Sequence, residues 1–324
     1  MIYSSEQKTI QSKLLKEIST ISNGYVLPVD ESYKNIYGWE TGENVTKIRN
    51  YFLDNKIKWW GCKYDLNKEN DVTRHMLSSQ VACLNHLFFI RQDANAVLSI
   101  INGVKGMPVK FKDVLNIGCD KGENNFISFE MVGSEDYLNE LNLQRGELCT
   151  SLDAVVYAVD ENDERWIIPI EWKYTETYKR KDLSLGYKGK VRLARYCNIK
   201  RDNLIENSKQ LVSLKNYKGS IYFQEPFYQL MRQTLLAERI CNNKNERITP
   251  AEHFVHIHVC PKSNKELLFM QYGNLTNNKG MEEAWRSMLY NQDLYHLVDP
   301  KELMEPIKIS YPDLYEYLDM RYWQ

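Results

Sequence analysis

Two runs of strand-forming residues separated by five polar ones constrain this chain more than any other feature. Leu152 to Val159 is rich in β-branched and apolar residues, Asp160 to Glu164 is polar, and Trp166 to Trp172 is apolar again. The pattern predicts a β-hairpin. An antiparallel turn sets the start of the first strand beside the end of the second, which brings Asp153 next to Glu171 and Lys173. Glu171 and Lys173 are two apart and so share one face of a strand, while Trp172 points to the other. The four residues Ile167, Ile168, Pro169 and Ile170 before the glutamate read as a buried strand, where a charge needs a reason.

Two carboxylates on neighbouring strands can hold one Mg²⁺ through oxygen and leave positions open for water and a phosphate oxygen. A lysine on the same face can orient or help deprotonate the attacking water, while the metal stabilises charge on the phosphate. The alternative is a surface hairpin whose Glu171 and Lys173 form an exposed cross-strand pattern, and the apolar run before them argues against it.

Asp153 followed by Glu171-Trp172-Lys173 after a hydrophobic strand resembles the PD-(D/E)xK, or restriction-endonuclease-like, nuclease superfamily. Leu152 stands where the motif's name has proline. The likeness would cover residues 74–261 and is closest to uncharacterised prokaryotic restriction-endonuclease-like proteins. It implies an α/β fold with an αβββαβ core and metal-dependent hydrolysis of phosphodiester bonds, in DNA ahead of RNA. It further implies Mg²⁺, with Mn²⁺ as a substitute, on Asp153, Glu171 and the backbone carbonyl of Trp172, and Lys173 positioning the water.

The elements expected around the hairpin follow from periodicity. Apolar residues at helical spacing predict helices over Gln7–Ser22 and Val45–Asn55, and a first core helix over Ser78–Ile90 with Ser78 or Ser79 as its N-cap. Gln80 on that helix could face the site. Asn125–Val132 alternates as a strand, which makes Glu130 an additional acidic candidate near the metal; Glu147, in the loop before the hairpin, is a weaker one. Glu225-Pro226 reads as a helix start with proline at its first position. On the helix that follows, Gln229 and Gln233 share a face with Arg232 close by, placed to support the site or touch substrate. His253–Cys260 alternates as the last core strand. His256 and His258 share a face without an evident third ligand, so a partly buried or substrate-facing pair is expected rather than a metal site. His75 and His86 read as structural.

Residues 1–73 are expected as a helical addition, 74–261 as the core and 262–324 as a second helical addition packed on the core or on a second subunit, which leaves a homodimer open. Residues 174–224 are too long for an ordinary connection and read as an inserted, partly helical lobe. Net charge is −1, yet Lys173–Lys218 holds 13 Lys/Arg against 4 Asp/Glu, and Met281–Gln324 holds 4 against 9. The basic stretch is interleaved with tyrosines and begins at the proposed catalytic lysine. Nucleic-acid contact through Lys179, Arg180 and Lys181 follows. The seven cysteines form no CxxC pair, against a zinc ribbon or a dense disulfide framework. No run reaches the length of a membrane span and the start is polar, so no membrane association and a cytoplasmic protein are expected.

Two other functions compete. Val114–Gly122, VLNIGCDKG, resembles the glycine-containing first motif of S-adenosylmethionine-dependent methyltransferases. Asn116 and Asp120 depart from it, and ENNFISFEMVG after it reads as a strand where a Rossmann-like turn must open a helix. The second competitor is a nucleic-acid-binding protein with a decayed nuclease site.

Overall fold

The hairpin forms where local sequence places it, and the sheet grows outward from it. The computed structural model describes residues 2–19, 24–60, 71–120, 122–141, 149–198, 202–270 and 273–324. Its strands are β1 (Phe111–Val114), β2 (Gly118–Asp120), β3 (Glu123–Asn125), β4 (Ile127–Met131), β5 (Leu152–Asp160), β6 (Arg165–Trp172), β7 (His253–Phe254), β8 (His256–Val259) and β9 (Tyr295–Val298). The central sheet runs β1-β5-β6-β8-β9, with β4 also on β5 and β7 also on β6. Pairings among β1, β4, β5 and β6 are antiparallel, whereas β7 and β8 join β6, and β9 joins β8, in parallel.

The helices are α1 (Tyr3–Ile18), α2 (Glu43–Asp54), α3 (Ser79–Leu87), α4 (Ala94–Asn102), α5 (Gly186–Tyr196), α6 (Phe227–Asn242), α7 (Lys265–Leu268), α8 (Met281–Arg286), α9 (Pro300–Met304) and α10 (Pro312–Tyr322). On one side of the sheet Ala154, Val156, Ile168, Ile170, Trp172 and Ile257 share a core with α2, α3, α4 and α10. On the other side Val155, Tyr157 and Ile167 pack with α6, with Tyr222 and with Trp285 of α8. This explains the unbroken apolar run of β6: both of its faces are covered.

The two ends of the chain are tied together. The buried guanidinium of Arg321 donates to the Asn35 carbonyl at 2.8 Å, and Gln11 of α1 donates to the Arg321 carbonyl at 2.7 Å. Among the described residues no helix is long and apolar enough to cross a membrane.

Several boundaries differ from those predicted. Ser78 caps α3 as expected, accepting from the Val81 N–H. Pro226 sits at the N-cap of α6, one position before the first turn where it was predicted. The strand predicted over Asn125–Val132 is split into β3 and β4, and that over His253–Cys260 is broken at Val255. The segment after Met281 was read as helical, but α8 is short and Tyr295–Val298 adds a parallel edge strand to the sheet. Gly118–Asp120 pairs back on Glu123–Asn125, so the glycine motif opens a hairpin rather than a helix. This removes the cofactor-turn geometry that the methyltransferase reading required.

Candidate active site

Sheet register assembles the acidic residues. Ala154 pairs with Ile170 and Glu171 with His258, and the first register continued by one step sets Asp153 opposite Glu171. On the other side of β5, the pairs Phe129–Ala154 and Met131–Leu152 flank Glu130 and Asp153, which therefore lie opposite one another. Glu130, Asp153, Glu171 and His258 thus form one row across four strands. Asp153 accepts a hydrogen bond from the Trp172 N–H at 2.8 Å, which ties the two strands at the site.

Glu171 and Lys173 are 1% and 5% exposed, so their charges require partners. The Lys173 Nζ lies 2.5 Å from Glu171 Oε1 and donates to Gln229 Oε1 at 2.7 Å. Gln233, one turn further along α6, donates to the other Glu171 oxygen. Gln229 and Gln233 thus both contact the Glu171–Lys173 pair from one face of α6. Tyr178 presents its ring to the same ammonium at 5.9 Å. Burial opposes the charge on Lys173, but Glu171, with Tyr178, Glu176 and Asp153 around it, carries its pKa well above the ordinary lysine value.

Asp153 is half-buried, and burial together with Glu171 and Glu130 raises its pKa well above the usual carboxylate range. Glu130 accepts from Gln80 at 3.0 Å and from the Ser151 hydroxyl at 2.7 Å, so Gln80 does reach the site. Its backbone φ is +50°, a conformation uncommon for a non-glycine residue and one that neighbouring structure must hold.

Asp153 and Glu130 line a cavity of about 450 Å³ together with Trp60, His75, Gln80 and Glu176. Glu171 and Lys173 do not line it; they sit on the α6 side, locked to each other and to the two glutamines. Among the described residues no three His, Cys, Asp or Glu side chains converge as a preformed metal centre.

Arg232 does not face the cavity. It donates to Thr150 Oγ1 at 2.9 Å and Glu140 Oε1 at 3.1 Å, and Tyr196 donates to the same glutamate oxygen at 2.8 Å. Sequence reasoning missed Glu140. It is buried and anchors the entrance to β5, so Arg232 supports the site by fixing the loop that leads to Asp153. Arg232→Met is expected to cost about 1.5–3 kcal/mol, the usual value of hydrogen bonds to a charged group. A urea midpoint equal to wild type would show that the network does not hold this loop.

Lys179, Arg180 and Lys181 are exposed, as is much of α5, with Tyr187 83% exposed. His256 and His258 are both buried, and not substrate-facing. Burial pushes His256 down to about 4, and His258 shares a hydrogen bond of 2.8 Å with the Tyr295 hydroxyl. His86 is likewise buried in the core, its ring tilted against that of Trp172 with centroids 4.5 Å apart. Glu147 lies outside the described residues. Glu176 was also missed, and Tyr178 was read only as one of the tyrosines interleaved with the basic stretch, because both follow the strand in a loop where periodicity carries no signal.

A mixed sheet covered by helices, with Asp153, Glu171 and Lys173 at the open end of its central hairpin, makes this an α/β protein. A family model described as Restriction Endonuclease associating with ARP matches residues 22–323, and the chain belongs to that family. No curated protein and no solved structure matches the chain.

Proposed function

We propose that this protein is a metal-dependent endonuclease that hydrolyses phosphodiester bonds in DNA. The observation that carries this reading is the row Glu130–Asp153–Glu171, with Lys173 directly after β6 paired to Glu171, and with Glu130 and Asp153 lining an open cavity. Family membership supports a nucleic-acid substrate. The donor set suits Mg²⁺, since all candidate ligands are hard oxygens. Asp153 and Glu171 would hold the ion with the Trp172 carbonyl, and Glu130 would stand beside them. When bound, the ion supplies Lewis-acid stabilisation of the phosphate and acidifies a water.

The protein groups divide the remaining work. Lys173 would donate hydrogen bonds, orienting the attacking water and stabilising charge that develops on the phosphate oxygens. Gln229 and Gln233 hold Lys173 and Glu171 at fixed distance and would retain them when a cation competes for the Glu171 carboxylate.

The direct test is cleavage of several DNA forms with Mg²⁺, Mn²⁺ or chelator, using wild type beside Glu171→Gln. Cation-dependent cleavage lost in the variant is expected. Tight binding without cleavage by wild type under every cation would favour a decayed site instead.

Lys179, Arg180 and Lys181 would carry the DNA backbone. Replacing all three by alanine is expected to weaken binding and to reduce the slope of log affinity against log salt by up to about 0.9 per lost phosphate contact. Unchanged slope and affinity would place the basic lobe away from the nucleic acid.

A further inference from the structure

We propose that Trp60 is a stacking platform for an unpaired nucleobase of the substrate, beside the bond to be cleaved. This inference rests on the nuclease reading and adds a substrate-contacting residue to it. The segment before Trp60 alternates in burial: Ile57 and Trp59 are 2% and 8% exposed, Lys58 is exposed, and Trp60 is 64% exposed. Trp59 stacks on Phe52 with ring centroids 3.9 Å apart and belongs to the core, so the tryptophan doublet splits into one inward and one outward indole.

The backbone that carries the outward indole is tied to the site. The Trp60 backbone N–H donates to Gln80 Oε1 at 3.0 Å, while the Gln80 amide nitrogen donates to Glu130 Oε1 at 3.0 Å. One glutamine therefore clamps the Trp60 backbone to a carboxylate in the proposed metal-binding row. Trp60, Glu130 and Asp153 line the same cavity, whose volume of about 450 Å³ lies within the range of small-ligand sites. An indole face open to solvent accepts any base in stacking, but only a base released from pairing can lie flat on it. The carboxylates beneath are repulsive to phosphate, so the base at the rim and the cation at the floor would act together in holding the strand.

The experiment compares wild type, Trp60→Ala and Trp60→Phe in binding a labelled single-stranded oligodeoxynucleotide in Ca²⁺ buffer, by fluorescence anisotropy. A matched series carries a single abasic residue at each position in turn. Trp60→Ala is expected to weaken binding by about 5- to 150-fold, the range of single base–aromatic stacks, with an unchanged melting temperature. Trp60→Phe should retain most of the affinity. At one abasic position, wild type should fall to the affinity of Trp60→Ala and the variant should lose nothing further. Wild-type affinity in Trp60→Ala, or an equal loss at every abasic position, would overturn the stacking role while leaving the nuclease reading in place. Failure of wild type both to bind and to cut nucleic acid would bring down both.

Discussion

Lys173→Met is expected to lower cleavage by about 10²- to 10⁴-fold, the range for removal of a group acting on proton positions in the transition state. The same substitution should cost the metal-free protein about 3–5 kcal/mol, because it strands the Glu171 carboxylate in a site with 1% exposure. These two effects separate on addition of a second change. In Lys173→Met/Glu171→Gln the buried charge disappears, so most of the stability should return while cleavage stays absent. Added Mn²⁺ should raise the melting temperature of Lys173→Met more than that of wild type, since the cation then meets no ammonium at Glu171. Cleavage by Lys173→Met at the wild-type rate would remove this residue from the mechanism.

Asp153→Asn should abolish cation binding and cleavage yet stabilise the cation-free protein by about 0.5–2 kcal/mol, as expected where a site is built against stability. The sign follows from its raised pKa. Between the unfolded and folded pKa values the native state holds the extra proton, so stability falls as pH rises through that window and the charged form is the costly one. The advantage of Asp153→Asn should therefore be largest at alkaline pH and vanish below the ordinary carboxylate range. Melting temperatures in chelator from acid to alkaline pH measure it. A variant less stable than wild type at pH 8 would show that the Trp172 N–H bond to Asp153 outweighs the repulsion from Glu171 and Glu130.

Much of the site was legible because its central part is local. The turn at Asp160–Glu164 sets the register of β5 and β6, and that register alone decides that Asp153 meets Glu171. Gln80, Gln229 and Gln233 could be assigned to helix faces from spacing, and each touches an acidic or basic member of the site. Arg232 shares that helix, but its partner Glu140 lies 92 residues away, and no periodic signal relates the two. Glu176 and Trp60 sit on irregular chain beside the cavity, where neither helical nor strand periodicity ranks one residue above another.

From sequence alone the chain determines a hairpin, the two core helices and the pairing of a carboxylate with a glutamate and lysine, since these depend on side-chain alternation, capping and one short turn. Tertiary structure alone decided that Lys173 is held inward by Gln229, 56 residues away, that Glu171 is held by Gln233, 62 residues away, and that the sheet ends in β9. It also decided that His256 and His258 are buried, because β9 and Tyr295 cover the strand that carries them. The reason is range. Local pattern specifies which face a side chain takes, but parallel pairing and helix docking join segments far apart in the chain, and their outcome depends on which packing buries the most apolar surface with every buried charge paired.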